Sequence, residues 1–490
     1  MRTFNGLQIF TEQLTNSGQL DARYIIKNEV LGPQGQADFG IGSSIQALSV
    51  GGVIAGGEAN SIGGSFGSIG GGTGNIADAY AFVGGGYNNQ AIDDFVFIGG
   101  GSENIAGSVF SFIGNGCCNF ISIRPQTGPG SNNAPSPYSS IINGTNNTLD
   151  GYWSFIGGGL ENSITGAGLF AFNNILGGWS NSICDSEMSS IVGGRMNLIS
   201  GQNLAQATPD FIGGGCQNKA YNHGNFIGGG QNNTTNCYGT ILNGSDNTIC
   251  DSYASIILGG AGNLVSGYNG EEEDPDFIGG GFENKAYNHG NFIGGGFENI
   301  ANSYGIIVGG ASNYAESSAS VVGGTNNQAR RFNSFIGNGL NNLISGGYSF
   351  IGGGLSNEIQ SADATSSFIG GGDGNKIRGA YSFIGGGISN EVRANHSYII
   401  GGRCSIVNTS HCGAAILGDG QDRIHNSSGP HTLTLDFASG IFIKNKTILE
   451  NSYIPSTSTS PGTSGQIATD SNYFYSHNGI KWRRTALSEW

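Results

Sequence analysis

The sequence predicts an all-β fold, a parallel β-solenoid of short turns, and three observations carry that prediction. A seven-residue motif recurs 22 times between Ile54 and Ser405, mostly 14 to 16 residues apart, and a fixed period marks a repeat architecture. One slot is β-branched in every copy, Ile in 20 and Val in two (Val83 and Val321). Two and three residues after that slot come Gly or Asn and then an invariant Gly, a pair that tolerates positive φ and reverses the chain.

Taken in chain order, residues 1–50 lack the motif. They contain a strand-like segment, Ala22-Arg23-Tyr24-Ile25-Ile26, and read as an N-terminal attachment or capping region. Residues 51–420 are the repeat. Each copy is aligned on the residue that closes the motif, Asn in all copies from Asn60 to Asn390 and Ser405 in the last. The β-branched slot lies six before this anchor. The slots seven and five before it trade volume: many copies have Phe then Gly, as in Phe155-Ile156-Gly157, while others have a small residue then an aliphatic, as in Ser190-Ile191-Val192 and Ser320-Val321-Val322. Residues two apart on a strand share a face, so the exchange identifies a strand with apolar groups on both sides, and both faces are expected to be buried.

After the turn, the second residue past the anchor is again apolar or small (Ile62, Ala77, Ile164, Val265, Val407), which marks a second, shorter inward-facing strand. Successive turns stack about 4.8 Å apart, so 22 of them make a rod roughly 100 Å long. The anchor amides then lie above one another and are expected to bond as an Asn ladder. Longer corners fall at Arg124 to Tyr138, Thr165 to Asn173, Gly201 to Asp210, Gly267 to Asp276 and Ser361 to Ser366, and corner insertions leave the ladder intact. Residues 421–490, opening with the alternating run Thr432-Leu433-Thr434-Leu435-Asp436-Phe437, form a C-terminal β-rich module.

So small a coil leaves its Phe-bearing side as a continuous apolar stripe, larger than a soluble monomer keeps in water. Self-association about an axis parallel to the rod covers it, with a chain number that periodicity alone leaves open. The segment Tyr381-Ser-Phe-Ile-Gly-Gly-Gly-Ile-Ser-Asn-Glu-Val392 resembles the head repeats of trimeric autotransporter adhesins, a β-roll family in which a small residue stands where this chain has Phe. That resemblance implies a homotrimer. The closing segment, Gly465-Gln-Ile-Ala-Thr-Asp470 with Tyr473-Phe-Tyr475 and Trp482-Arg-Arg484, resembles the ends of structural and tail-fibre proteins of marine bacteriophages, cyanophages especially. It implies a virion fibre assembled in the host cytoplasm, with virion tail or capsid proteins and a host cell-surface glycan or protein as partners.

With 91 Gly in 490 residues and only 11% charged, the chain is unlike a globular enzyme, and at 37% apolar it is unlike a disordered one. The net charge of −15 is spread without a basic stripe, which excludes a nucleic-acid partner, and no apolar run is long enough to insert in a membrane. The N-terminus shows no signal-peptide pattern, so the eight cysteines, which lack Cys-x-x-Cys spacing, are expected as free thiols and not as metal ligands. No cofactor is expected. His223 and His289 share one context but lie four turns apart, roughly 19 Å at the stacking rise, too far for one metal within a chain.

A non-enzymatic, receptor-binding fibre is the reading these residues favour. Its candidate contacts are aromatic residues with polar neighbours suited to stacking on sugars: Tyr152, Trp153, Trp179, Tyr473, Tyr475, His477 and Trp482, the last equally readable as core of the terminal module. A polysaccharide-degrading tailspike is the alternative. It needs two carboxylates about the scissile bond, and Asp93-Asp94, Asp185 with Glu187, and Glu271 to Asp276 are the clusters available. A purely architectural filament is the third reading.

Overall fold

A computed structural model describes residues 51–122, 138–165, 172–201, 208–236, 238–267, 274–360, 364–420, 424–437, 456–459, 467–469 and 473–486, with paired strand segments at 3–4, 7–8, 24–25, 39–41 and 44–45. The described chain is all strand and turn, and it winds into a parallel β-solenoid. Each rung contributes one short strand to a first sheet and one to a second. In the first sheet Phe82 and Val83 pair in parallel with Phe97 and Ile98; in the second, Gln90 and Ala91 pair with Ile105 and Ala106. A third ladder of single bridges runs from Glu58 through Thr73 and Tyr87 to Arg403, two residues before each anchor.

The ladder is longer than the motif. Strand Phe39–Ile41 already pairs in parallel with Val53–Ile54, and Ser44–Ile45 with Ser61–Ile62, so the rod starts before residue 51. At the other end Leu433–Asp436 pairs in parallel with Ala415–Gly418, so the alternating run is a further rung and the rod continues past residue 420. Backbone pairing needs no Ile or Gly text, and that is why the repeat understates the coil. Beyond it, Ile467–Thr469, Tyr473–His477 and Trp482–Ala486 form a separate antiparallel sheet.

All 22 β-branched residues of the repeat are fully buried, and with Ile62, Ala77, Ala91 and their equivalents in the second sheet they fill the lumen. Of the two strand faces expected to be buried, only this one is. The other, which carries the Phe or aliphatic residue, stands half exposed, with Phe97 at 38% and Leu176 at 54%.

The anchor ladder is formed as the spacing predicts. Asn104 Nδ2 lies 3.0 Å from Asn89 Oδ1, 3.1 Å from the Gly100 carbonyl and 2.9 Å from the Gly116 carbonyl, so one amide ties three successive rungs together. An Asp has no donor for those carbonyls. The invariant Gly of each turn has φ between 85° and 114°, and a Cβ on Gly101 would stand 2.0 Å from the Gly116 carbonyl oxygen. The four Asn that replace the preceding Gly cap the turn: Asn115 Oδ1 accepts from the Gly116 N–H at 2.7 Å.

A second polar ladder, eight before the anchor, also faces inward. Where this slot is polar it is mostly Ser, with Ser367 N–H donating to Ser349 Oγ at 3.2 Å and Ser382 N–H to Ser367 Oγ at 3.3 Å. In the twin segments it becomes Asp and Asn: Asp210 Oδ1 accepts from both the N–H (2.8 Å) and Nδ2 (2.9 Å) of Asn225, and Asp276 serves Asn291 in the same way. Residues 123–137, 166–171, 202–207, 268–273 and 361–363 lie outside the described set, and in sequence each stretch follows a second-sheet strand and precedes the next first-sheet strand, so the same corner of the coil joins the described strands on either side.

Candidate functional site

The rod offers three outward surfaces of different chemistry. The first is the outer face of the first sheet. Its side chains come from the slots seven and five before each anchor, and no copy has Asp, Glu, Lys or Arg at either. The rings pile along the axis, Phe82 on Phe97 on Phe112 at 5.1 Å and Phe335 on Phe350 on Phe368 on Phe383 at 4.9 to 5.2 Å. The exchange of Phe-Gly for small-aliphatic follows from contact: a Cβ on Gly99 would lie 3.4 Å from Phe97 Cε1, and 2.3 Å from the Gly114 carbonyl oxygen. Ring and branched side chain therefore compete for one position, and the backbones also close up where Gly is present.

The second surface is the corner beside it, nine before the anchor. Here Phe66, Tyr80, Phe95, Phe110, Tyr138, Trp153 and Phe172 form one continuous stack with centroids 4.9 to 6.2 Å apart. Each holds a φ of 41° to 60°, a left-handed conformation that costs an L-residue roughly 1–2 kcal/mol. Ring stacking offsets it by about 0.5–1.5 kcal/mol per pair beyond area burial. The stack was visible in the text as aromatics at the repeat period, but an alignment on the Ile slot passes over it. It also changes the reading of Trp153. That indole is 40% exposed, yet Tyr138 and Phe172 cover its two faces, so it shows solvent its edge and has no free face for a sugar. Tyr152 is half-buried and tilted 53° against Trp153.

Trp179 sits elsewhere, on the bridge ladder between Leu160 and Arg195. Its Nε1 donates to Glu161 Oε2 at 3.1 Å, and the Arg195 guanidinium stands 5.4 Å from its ring centre. The sequence candidates on the rod are thus split between two ladders.

The third surface is the polar outer face of the second sheet, laced by Lys376–Glu358 at 3.4 Å, Arg378–Glu391 at 3.0 Å and Arg393–Glu391 at 2.6 Å. The Arg393 hydrogen bond holds the Glu391 carboxyl below the ordinary range, against partial burial. A groove of about 640 Å³ opens on this face, with Glu283, Glu298 and Glu316 beside Lys285, Tyr314 and Arg330. Sequence reasoning missed it because these residues occupy separate rungs and meet only when stacked.

In the terminal sheet two candidates are corrected. Tyr475 and Trp482 are its core, Trp482 at 4% exposure, because they share the one face that can be covered. Tyr473 packs against them under the Arg484 guanidinium, 4.5 Å from its ring centre. His477 lies in strand Tyr473–His477, with its side chain outside the described set.

Of the acidic clusters, burial raises the Asp93 carboxyl, helped by Asp94 and Asp78. Asp185 and Glu187 lie in a turn, and Glu271 to Glu273 are outside the described residues. His223 and His289 sit at equivalent corners against Tyr238 and Tyr304, at 6.3 and 5.8 Å. Among the described residues no three His, Cys, Asp or Glu come together as a metal site. Seven cysteines are free, and Cys237 is outside the described set.

Fold and surfaces together define a β-solenoid rod with one uncharged apolar face. No protein-family model matches the chain, and no curated protein matches it.

Proposed function

We propose that the chain is the subunit of a structural fibre, a self-associated and specifically homotrimeric rod of a bacteriophage virion, whose end sheet binds the host surface. One observation carries the self-association: the outer face of the first sheet is uncharged in every repeat, apolar in all but the Ser68-Ile69-Gly70 copy, and half exposed in the single chain. A stripe of that length in water is a site of association. The neighbouring sheet carries ion pairs and suits solvent, so the two faces are not interchangeable. Phage origin and host binding rest on the resemblance of the closing segment. The test is the native mass of the full chain with negative-stain imaging: three chains in a rod about 100 Å long are expected, and a monodisperse single-chain mass overturns the proposal.

The groove lined by Glu283, Glu298 and Glu316 favours a second reading, a polysaccharide-cleaving spike, since paired carboxylates are what glycoside hydrolysis requires. Release of reducing ends from host polysaccharide, abolished in Glu298→Gln or Glu316→Gln, would establish it. No release leaves the fibre reading standing.

A further inference from the structure

We propose that the end sheet carries a binding site for a carboxylated saccharide, built from Arg484 and the 456–458 segment beside the buried pair Tyr475 and Trp482. The inference deepens the host-binding reading above and rests on it.

Charge singles the place out. The chain has 34 acidic against 19 basic residues, yet residues 456–486 carry Lys481, Arg483 and Arg484 against the single carboxylate of Asp470. No ion pair to either arginine is found among the described residues. Geometry then makes a cleft of the patch. Antiparallel pairing sets Tyr475 opposite Arg484, and cross-strand partners share a face as residues two apart do, so Tyr475, Trp482 and Arg484 lie on one face of the sheet and Arg483, opposite Ser476, on the other. The Trp482 N–H donates to the Ser458 carbonyl at 2.8 Å, which draws the segment Ser456-Thr457-Ser458 alongside the strand. Between them lies a groove of about 260 Å³ lined by these three residues, Tyr475, Trp482 and both arginines.

Each part suits one feature of an acidic sugar. A guanidinium presents parallel N–H donors that match a carboxylate, and Arg484 is held in place over the Tyr473 ring. The serine and threonine side chains bring hydroxyls of the kind that exchange hydrogen bonds with ring hydroxyls. The volume falls below the roughly 300–1,000 Å³ that encloses drug-sized ligands, so it suits a single sugar ring.

The full chain is titrated with trigalacturonic acid, with maltotriose as the neutral arm and inorganic phosphate as the simple-anion arm, followed by tryptophan fluorescence and calorimetry at low and high salt. The acidic trisaccharide is expected to bind, more weakly as salt rises, with maltotriose at least about tenfold weaker and phosphate no effective competitor. Arg484→Ser is expected to lower affinity roughly tenfold with unchanged circular dichroism. If it disturbs the sheet, Arg484→Lys keeps the charge, loses the fork and is expected to bind more weakly, whereas Arg483→Ser, an exposed side chain on the opposite face, is expected to change affinity about twofold or less. Equal binding of maltotriose, full competition by phosphate, no binding by the folded chain, unchanged affinity in Arg484→Ser, or an equal loss in Arg483→Ser overturns the site. Native mass and rod length are read on the same samples, so a failure here is separate from a failure of self-association.

Discussion

Asn104 donates twice to a single atom of Asn89: its backbone N–H at 3.1 Å and its Nδ2 at 3.0 Å both reach Asn89 Oδ1, and Asn119 repeats the pair on Asn104. The buried amides thus form one chain of bonds along the rod, each both donor and acceptor.

Asn104→Ala is therefore expected to cost about 2–4 kcal/mol, because it takes the donor from the Gly100 carbonyl and the acceptor from the Asn119 N–H, and leaves the Gly116 carbonyl with the Ser102 N–H alone. Asn104→Asp is expected to cost more at pH 7, since a buried carboxylate would face two carbonyl oxygens, and to recover partly below pH 5 as it protonates. Urea unfolding at both pH values reads the difference, and hydrogen exchange shows whether loss spreads from that rung.

Adjacent glycines are expected to respond in opposite ways. Gly101→Ala puts a Cβ 2.0 Å from the Gly116 oxygen at a φ of 95°, so a cost above about 3 kcal/mol or failure to fold follows. Gly100→Ala meets its nearest atom at 3.9 Å, and the copies with Asn at this slot already carry a side chain there, so a change within about 0.5 kcal/mol is expected. Thermal midpoints of the two variants compare them directly.

Asp210 gives the rod a pH dependence. Burial pushes its carboxyl up to about 6, against the hydrogen bonds from Asn225 that favour the ionised form and the field of His223. The folded chain thus holds a proton that the unfolded chain releases near pH 4, so stability falls as pH rises from about 4 through 6, by up to about 3 kcal/mol. Asp210→Asn is expected to flatten that slope and stabilise the rod at pH 8. Asn173, eight before its own anchor, shows that the inner ladder accepts an amide, with Oδ1 taking the Ser189 N–H at 2.9 Å. Denaturant midpoints from pH 4 to 8 decide it.

Replacing Phe350, Phe368 and Phe383 together by Ser is expected to spare the fold and release the assembly. These rings lie outside the lumen, so each loss costs the single chain about 1–2 kcal/mol, mostly the stacking on its neighbours, whereas Ile351→Ala opens a cavity worth about 2–5 kcal/mol. Light scattering should show the mass falling toward one chain in the triple variant. An unchanged mass would place the contact on another face.

Much of this was legible because the lumen reads residues one slot at a time. Ile156 and Ile164 had to be inward and Gly159 had to turn, whatever lay around them. What was not legible depends on stacking or on ends. Glu298 and Glu316 are unremarkable until adjacent rungs bring them to one groove. Trp153 looked like an open platform because sequence cannot show that Tyr138 and Phe172 occupy both its faces. The left-handed residue before each anchor, as varied as Glu103, Cys118 and Met196, has no compositional mark. Trp482 and Tyr475 sit in a small sheet outside the period, where burial follows from pairing alone.

The single corner at which every long interruption occurs has a consequence for engineering. Counting by paired first-sheet strands, the interruption before Ser140 is two rungs from that before Asn174, the next is two further at Phe211, and the next four further at Phe277. Foreign peptides grafted at these points would hang from one edge at intervals of about 10, 10 and 19 Å, set by the pitch of the coil and indifferent to the length of each graft.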